Sequence, residues 1–238
     1  MTGSDILADY GLRILGGFRA GPDDPLLRHD TTLILLGPDD ARFWRIFTAS
    51  PEYADGAPDP IDRWSGRVIE KIARDQGGTA YFPFGGPPHY PFYDWALRTG
   101  RAHPSPIRFL VHPQTGLWAS FRGAMAVQGD IDIPPPLASP CATCVDRPCL
   151  SACPVRAFAG DGYDVDACKG HIADTDTAQC RSMGCAARRA CPVSPTTRCL
   201  RNRSGHSPPA GGPFLRMRPT GRRRSGCWVQ ASRAASLR

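Results

Sequence analysis

The clearest patterning of apolar and polar positions lies in the first 136 residues. Residues 31–37, TTLILLG, form an unbroken apolar and β-branched run that stops at Gly-Pro, which predicts a buried strand. Ahead of it, residues 4–9 predict a short helix and GLRILGGF a further strand. Behind it, Pro38, Asp39 and Asp40 open a helix through ARFWRIF, with the acids first, as the helix dipole favours. SPEYADGAPDP reads as a loop. From Pro60 onward, Ile61, Trp64, Val68, Ile69 and Ile72 recur at helical spacing, and Asp59 is the expected N-cap. This stripe is read as core packing and is assigned no chemistry.

Further along, TAYFPFGGPPHYPFYDWALRTG predicts a strand, a Gly-Pro loop and a short aromatic helix stopped by Gly100. The loop carries His89 and Tyr90. It is either the wall of a pocket for a planar ligand or a rigid aromatic turn lying on the sheet. The stretch IRFLVHPQTGLWASFRGAMAVQ predicts a hairpin, with strands at 107–112 and 117–127 around a turn at 113–116. His112 falls at the strand end beside the turn, either reaching a ligand or serving as a satisfied structural residue. Arg122 falls in mid-strand, where a charge needs a partner. IDIPPPLASP then predicts a stiff proline linker.

Composition adds domain organisation. A chain of 238 residues with 41% hydrophobic residues can bury a sizeable core, and 25 Gly with 25 Pro imply much turn and loop. The net charge of +7 suggests nucleic acid until its location is examined. Ten arginines, from Arg198 to Arg238, lie beyond position 194 with no acid and no lysine among them, and without them residues 1–194 carry −3. The basicity therefore belongs to the tail, which argues against a nucleic-acid interface on the rest of the chain. Residues 195–238 have no periodic apolar face and predict a disordered Arg-rich tail. So abrupt a shift in composition has the character of an out-of-frame reading of GC-rich coding sequence. The alternative is an RNA-contacting arm centred on Arg222, Arg223 and Arg224. The first residues lack a secretory leader and no apolar run reaches the length of a membrane span, so a cytoplasmic protein is expected.

Eight of the ten cysteines fall between positions 141 and 191. Cys141, Cys144, Cys149 and Cys153 make C-x2-C-x4-C-x3-C-P, two residues longer between the second and third cysteines than the bacterial ferredoxin run. Cys168, Cys180, Cys185 and Cys191 are spaced less regularly but again close on Cys-Pro. In two-cluster ferredoxins the Cys-Pro cysteine of each run crosses to the other cluster. That rule assigns Cys141, Cys144, Cys149 and Cys191 to one [4Fe-4S] cluster and Cys153, Cys168, Cys180 and Cys185 to a second. Structural zinc, a disulfide framework, and a single cluster with spare cysteines are the competing readings. Cys199 and Cys227 receive no ligand role.

Two family resemblances follow from these residues. HPQTGLWASFRG resembles the H-P-x-x-G-x-W-x-x-x-R-G signature of the CblC cobalamin-processing proteins, matched at His112, Pro113, Gly116, Trp118, Arg122 and Gly123. DPIDRWSGRV resembles the D-P-x-D segment of the same family at Asp59, Pro60 and Asp62, and the likeness spans roughly residues 10–136. The cysteine region resembles the ferredoxin module of epoxyqueuosine reductases, and reductive dehalogenases share its ligand pairing. CPVRAF, YDVDACKGHI and GC-x5-CP run in that module's order. The sequence departs by two residues inserted before Cys149 and by Arg188 near where those reductases place a cysteine, so Cys180 must substitute. Their substrate segment is not recognisable, and no tRNA activity is carried over.

The resemblance implies an α+β, flavin-reductase-like (CblC-like) sheet domain over 1–136 and a small ferredoxin-like dicluster domain over 137–194. It implies two [4Fe-4S] clusters that pass electrons to a cobalamin or flavin held by the first domain. His112, Trp118, Arg122 and Gly123 would line that cofactor, with Arg122 either neutralising a phosphate or propionamide-side group or bracing the sheet. The implied partners are an electron donor or acceptor protein and a corrinoid, with no membrane; catalytic residues stay unassigned. The alternative is a ferredoxin-type carrier or docking protein whose first domain holds no small-molecule cofactor.

Overall fold

The computed structural model describes residues 3–160, 162–174 and 179–194. The Arg-rich tail, with Cys199 and Cys227, lies outside the described residues. The chain is mixed α+β, with eight helices and six strands among the described residues. No helix among them is long and apolar enough to cross a membrane.

Helix α1 (Gly3–Asp9) leads into strand β1 (Leu12–Arg19), which pairs with β2 (Thr31–Pro38). After α2 (Asp40–Thr48), α3 (Pro51–Ala54) and α4 (Pro60–Asp75) come β3 (Thr79–Tyr81) and α5 (Phe92–Arg98). Two short strands, β4 (His103–Pro104) and β5 (Leu110–Val111), form a separate pair, and β6 (Gly123–Gln128) returns to the main sheet. The main sheet is antiparallel throughout, in the order β1-β2-β6-β3.

Strand β2 is apolar at nearly every position because both its faces are covered. Leu33 and Leu35 enter a core with Phe92, Trp95 and Phe121, while Ile34 and Leu36 enter another with Phe43, Phe47, Trp64, Val68 and Ile69. The expected α4 stripe faces that second core. A bulge between Ile14 and Gly16 takes Leu15 out of the β1 ladder. This switches the strand's inward side, so that Leu12 faces the α4 core and Phe18 the α5 core.

Three sequence expectations change. Asp59 does not cap α4 through its side chain, because its own backbone is left-handed (φ 50°, ψ 49°), which turns the carboxylate away from the first helical amides. Within the expected loop, residues 51–54 make the single turn of α3, capped by Ser50, which accepts from the Tyr53 amide at 3.4 Å. Four residues are too few for a periodicity to announce.

The third change is the hairpin. The tight turn exists, with His112 and Gly116 exchanging backbone hydrogen bonds at 2.9 and 2.8 Å, but no ladder continues from it. The backbone of Leu117 is engaged elsewhere: its amide donates to Ser194 Oγ (3.2 Å) and its carbonyl accepts from Arg188 Nε (2.6 Å). Strand β5 therefore pairs with β4, and β6 lies between β2 and β3.

The aromatic loop after β3 lies on the sheet. Tyr90 meets Tyr81 edge-on at 4.9 Å and stacks on Trp95 at 5.9 Å. The proline linker is also tied down, through Arg101 donating to the Pro135 carbonyl (2.8 Å) and the Leu137 amide donating to the Gly100 carbonyl (3.0 Å). The cysteine region that follows is too short to enclose a large core alone. It shares one with the first domain, joining Ile107, Val111 and Leu117 to Cys149, Cys153, Ala157, Phe158 and Ala187.

Candidate metal centres

All eight cysteines between 141 and 191 are free thiols. Short local devices set their backbone. Ser139 accepts from the Cys141 amide (3.3 Å) at the start of a 3-10 turn, Pro140–Ala142, that delivers the first cysteine. Asp164 accepts from the Ala167 amide (2.9 Å) and so starts α6 (Val165–Ala173), which carries Cys168. Cys180 lies on α7 (Gln179–Met183), and Cys185 precedes α8 (Ala186–Arg189).

These elements gather the thiols into two sets. Cys141, Cys144, Cys149 and Cys191 line one cavity of about 380 Å³, closed on the first domain's side by Val111 and Leu117. Burial pushes the Cys141 and Cys149 thiols up, and the neighbouring thiols of the same set add to the effect, Cys191 and Cys144 in both cases. In the other set, burial raises Cys168, and Cys153 and Cys180 add to it. Cys185 is raised by burial and, less, by Cys180, while the amides of Arg188 and Ala187 and the Arg188 charge pull it down. Cys191 thus sits with three thiols of the first run, and Cys153 lies beside Cys168 of the second.

Among the described residues, no three carboxylate, imidazole or thiol groups converge closely enough to hold one metal ion. Four thiolates on one zinc, bonded at about 2.3 Å, would lie only about 3.8 Å apart. Thiolates on an iron–sulfur cube each take a separate corner and stand wider, so single-ion convergence does not measure that fit. An all-thiol donor set of four around a walled cavity is chemically suited to such a cube.

The second set has polar support. The Ala157 amide donates to Cys153 Sγ at 3.4 Å, and the Tyr163 hydroxyl donates to Cys168. Tyr163 is locked against Phe158 (4.9 Å, stacked) and Phe109 (5.7 Å, edge-on), so burial and the Cys168 contact hold its phenol protonated. Sequence reasoning did not single out Tyr163 as a supporting residue. It also noted Arg188 only as a departure from a family pattern. The usable signals were a tyrosine five residues before Cys168 and an arginine one helical turn after Cys185.

Five residues matched to the cobalamin-processing signature, His112, Gly116, Trp118, Arg122 and Gly123, already have neighbours within the chain, and Gly116 and Trp118 among them meet the cysteine region. His112 is fully buried, its Nδ1 accepts from the Gln114 amide (3.1 Å), and its Nε2 donates to the Leu15 carbonyl (2.8 Å). That carbonyl belongs to the bulged residue of β1, so His112 clamps the turn onto the bulge and shows no free nitrogen to a ligand. Gly116, with φ at +54°, is pressed onto Ser194, whose backbone nitrogen would lie 2.5 Å from any added Cβ. Trp118 lies beneath the Arg188 guanidinium at 4.2 Å. Arg122 reaches Asp62 at 3.2 Å, which joins the two matched segments of the first domain. Gly123 lets α4 approach the sheet, since an added Cβ would meet Ile69 at 2.8 Å.

His112 yields a pH prediction. Burial, chiefly, lowers its pKa from 6.5 to about 4. The unfolded chain then binds a proton that the folded chain refuses, so this contribution is complete above pH 6.5 and is lost as pH falls towards 4. It amounts to on the order of 3 kcal/mol. Denaturant melts across pH 4–7 are expected to show the loss in the native chain and not in His112→Gln, which has no imidazole to protonate; an identical profile in both would refute it. No protein-family model matches the chain, and no curated protein sequence matches it.

Proposed function

We propose that the chain is an iron–sulfur electron-transfer protein carrying two [4Fe-4S] clusters. Cys141, Cys144, Cys149 and Cys191 would hold one, and Cys153, Cys168, Cys180 and Cys185 the other. One observation carries the reading: Cys191 of the second run lines one cavity with Cys141, Cys144 and Cys149 of the first, while Cys153 of the first run lies beside Cys168 of the second. When bound, such clusters supply one-electron transfer without proton or atom transfer. The chain's residues do the rest: Val111 and Leu117 wall the first cavity on one side, and the Ala157 amide and Tyr163 hydroxyl offset thiolate charge in the second set.

The first domain serves in this reading as a rigid α+β platform, because His112, Trp118, Arg122 and Gly123 are all engaged in bracing it. Its exchange partner would be an electron donor or acceptor protein. A corrinoid- or flavin-linked reductase on a flavin-reductase-like domain is the second reading, supported by the close approach of the signature turn to the cysteine region at Gly116 and Leu117.

Anaerobic purification with metal and sulfide analysis tests the proposal. About eight irons and eight sulfides per chain, with broad absorption near roughly 400 nm, are expected. Zinc without iron would overturn both readings, and corrinoid or flavin bands would move the choice to the second.

A further inference from the structure

Ser105 carries a hydroxyl that the fold buries and leaves unused. The residue is 9% exposed, and its Oγ has no hydrogen-bond partner among the described residues. Such an atom has given up water without replacement, which is unfavourable and uncommon in a folded protein. Its place accounts for the exception. Ser105 follows strand β4 and lines the cavity of about 380 Å³ together with Cys141, Cys144, Cys149 and Cys191. Of the first-domain residues on that wall, Pro106, Val111 and Leu117 are apolar, and Ser105 alone brings a donor side chain. Its backbone is fixed: the Ser105 amide donates to the Phe109 carbonyl (3.0 Å), its carbonyl accepts from the Arg108 amide (2.9 Å), and Pro104 and Pro106 restrict the chain on either side. The acceptor that the protein withholds is of the kind an iron–sulfur cube presents, since hydrogen bonds to its sulfurs help set its reduction potential.

We propose that the Ser105 hydroxyl donates a hydrogen bond to a sulfur of the cluster held by Cys141, Cys144, Cys149 and Cys191, and raises that cluster's reduction potential. The proposal rests on the iron–sulfur reading and adds to it a role for the first domain, which supplies the donor across the domain boundary. Reduction adds one electron and one negative charge; the hydroxyl keeps its proton, no bond forms or breaks, and the hydroxyl dipole favours the more negative state. Thr115 offers an internal comparison. Its Oγ1 is likewise buried and without a hydrogen-bond partner among the described residues, but Thr115 does not line the cavity.

The test is a redox titration of the anaerobically purified full chain, followed by electron paramagnetic resonance, with the couple of this cluster identified as the one missing from Cys144→Ala. In Ser105→Ala that couple is expected to become harder to reduce by about threefold to tenfold in its equilibrium constant, about 28 to 59 mV for one electron. The other couple should stay in place, Thr115→Val should leave both where they are, and Ser105→Thr, which keeps the hydroxyl, should stay close to the native value. An unchanged couple in Ser105→Ala with full iron content, an equal shift of both couples, or as large a shift in Thr115→Val would overturn the proposal. Should Ser105→Ala lose iron, Ser105→Thr and Ser105→Val, which match in shape, decide: a lowered couple, or iron loss, in the Val variant alone supports the hydrogen bond, and the same behaviour in both refutes it. A native chain without iron or sulfide would instead remove the iron–sulfur reading itself.

Discussion

Cys153→Ala is expected to lose the same cluster as Cys168→Ala, and Cys191→Ala the same cluster as Cys141→Ala, although Cys153 closes the run that begins at Cys141 and Cys191 the run that begins at Cys168. Each variant should keep about four of about eight irons. The electron paramagnetic resonance signal that disappears should be shared within each pair and differ between pairs. The prediction follows from the exchange of Cys-Pro cysteines: Cys191 neighbours Cys141 and Cys149, and Cys153 neighbours Cys168. Were Cys153→Ala to erase the signal that Cys149→Ala erases, each run would hold its own cluster and the assignment would be wrong. Cys149 and Cys153 also lie in the shared core, so their variants should lower stability more than that of the part-exposed Cys144.

Asp62→Ala is expected to destabilise the fold by about 3–5 kcal/mol, because it leaves the guanidinium of Arg122 without this carboxylate in a site that disfavours charge. Burial is the main cause that brings the Arg122 pKa down to about 10, and Asp62 is what opposes it. The double replacement Asp62→Leu with Arg122→Met should restore much of the loss, since exchanging a whole buried pair for apolar side chains is far milder than removing one partner. Denaturant midpoints at unchanged m-value measure both. A loss below about 1 kcal/mol for Asp62→Ala would mean that the pair behaves as an exposed one, and Arg122 would again be available to a cofactor.

Much of the first domain was legible because its elements declare themselves locally. The β2 run is apolar at successive positions, and only a strand covered on both faces needs that; Leu33 and Leu35 on one side and Ile34 and Leu36 on the other meet the need. The α4 stripe was legible for the same reason. Gly100, with φ at +62°, ends the aromatic helix where the sequence suggested. The hairpin at 107–127 was misread because alternation reports which residues want burial, not which strand receives their hydrogen bonds. Leu117 is apolar and buried as expected, yet its backbone is bonded to residues more than seventy positions away.

The cysteine spacing suggested which thiols would group and that the Cys-Pro cysteines would cross, since short gaps between thiols and a following proline are properties of the chain itself. Whether Cys191 could meet Cys141 depended on the fold, for the two are fifty residues apart and no local pattern spans that distance. The roles within the HPQTGLWASFRG segment likewise came from outside it: the β1 bulge accepts from His112, Asp62 meets Arg122, Ser194 abuts Gly116 and Arg188 covers Trp118. Residue order expresses propensity, burial and donor chemistry. The identity of each partner is a long-range matter, decided when both faces of the sheet and the small cysteine module had to be buried together.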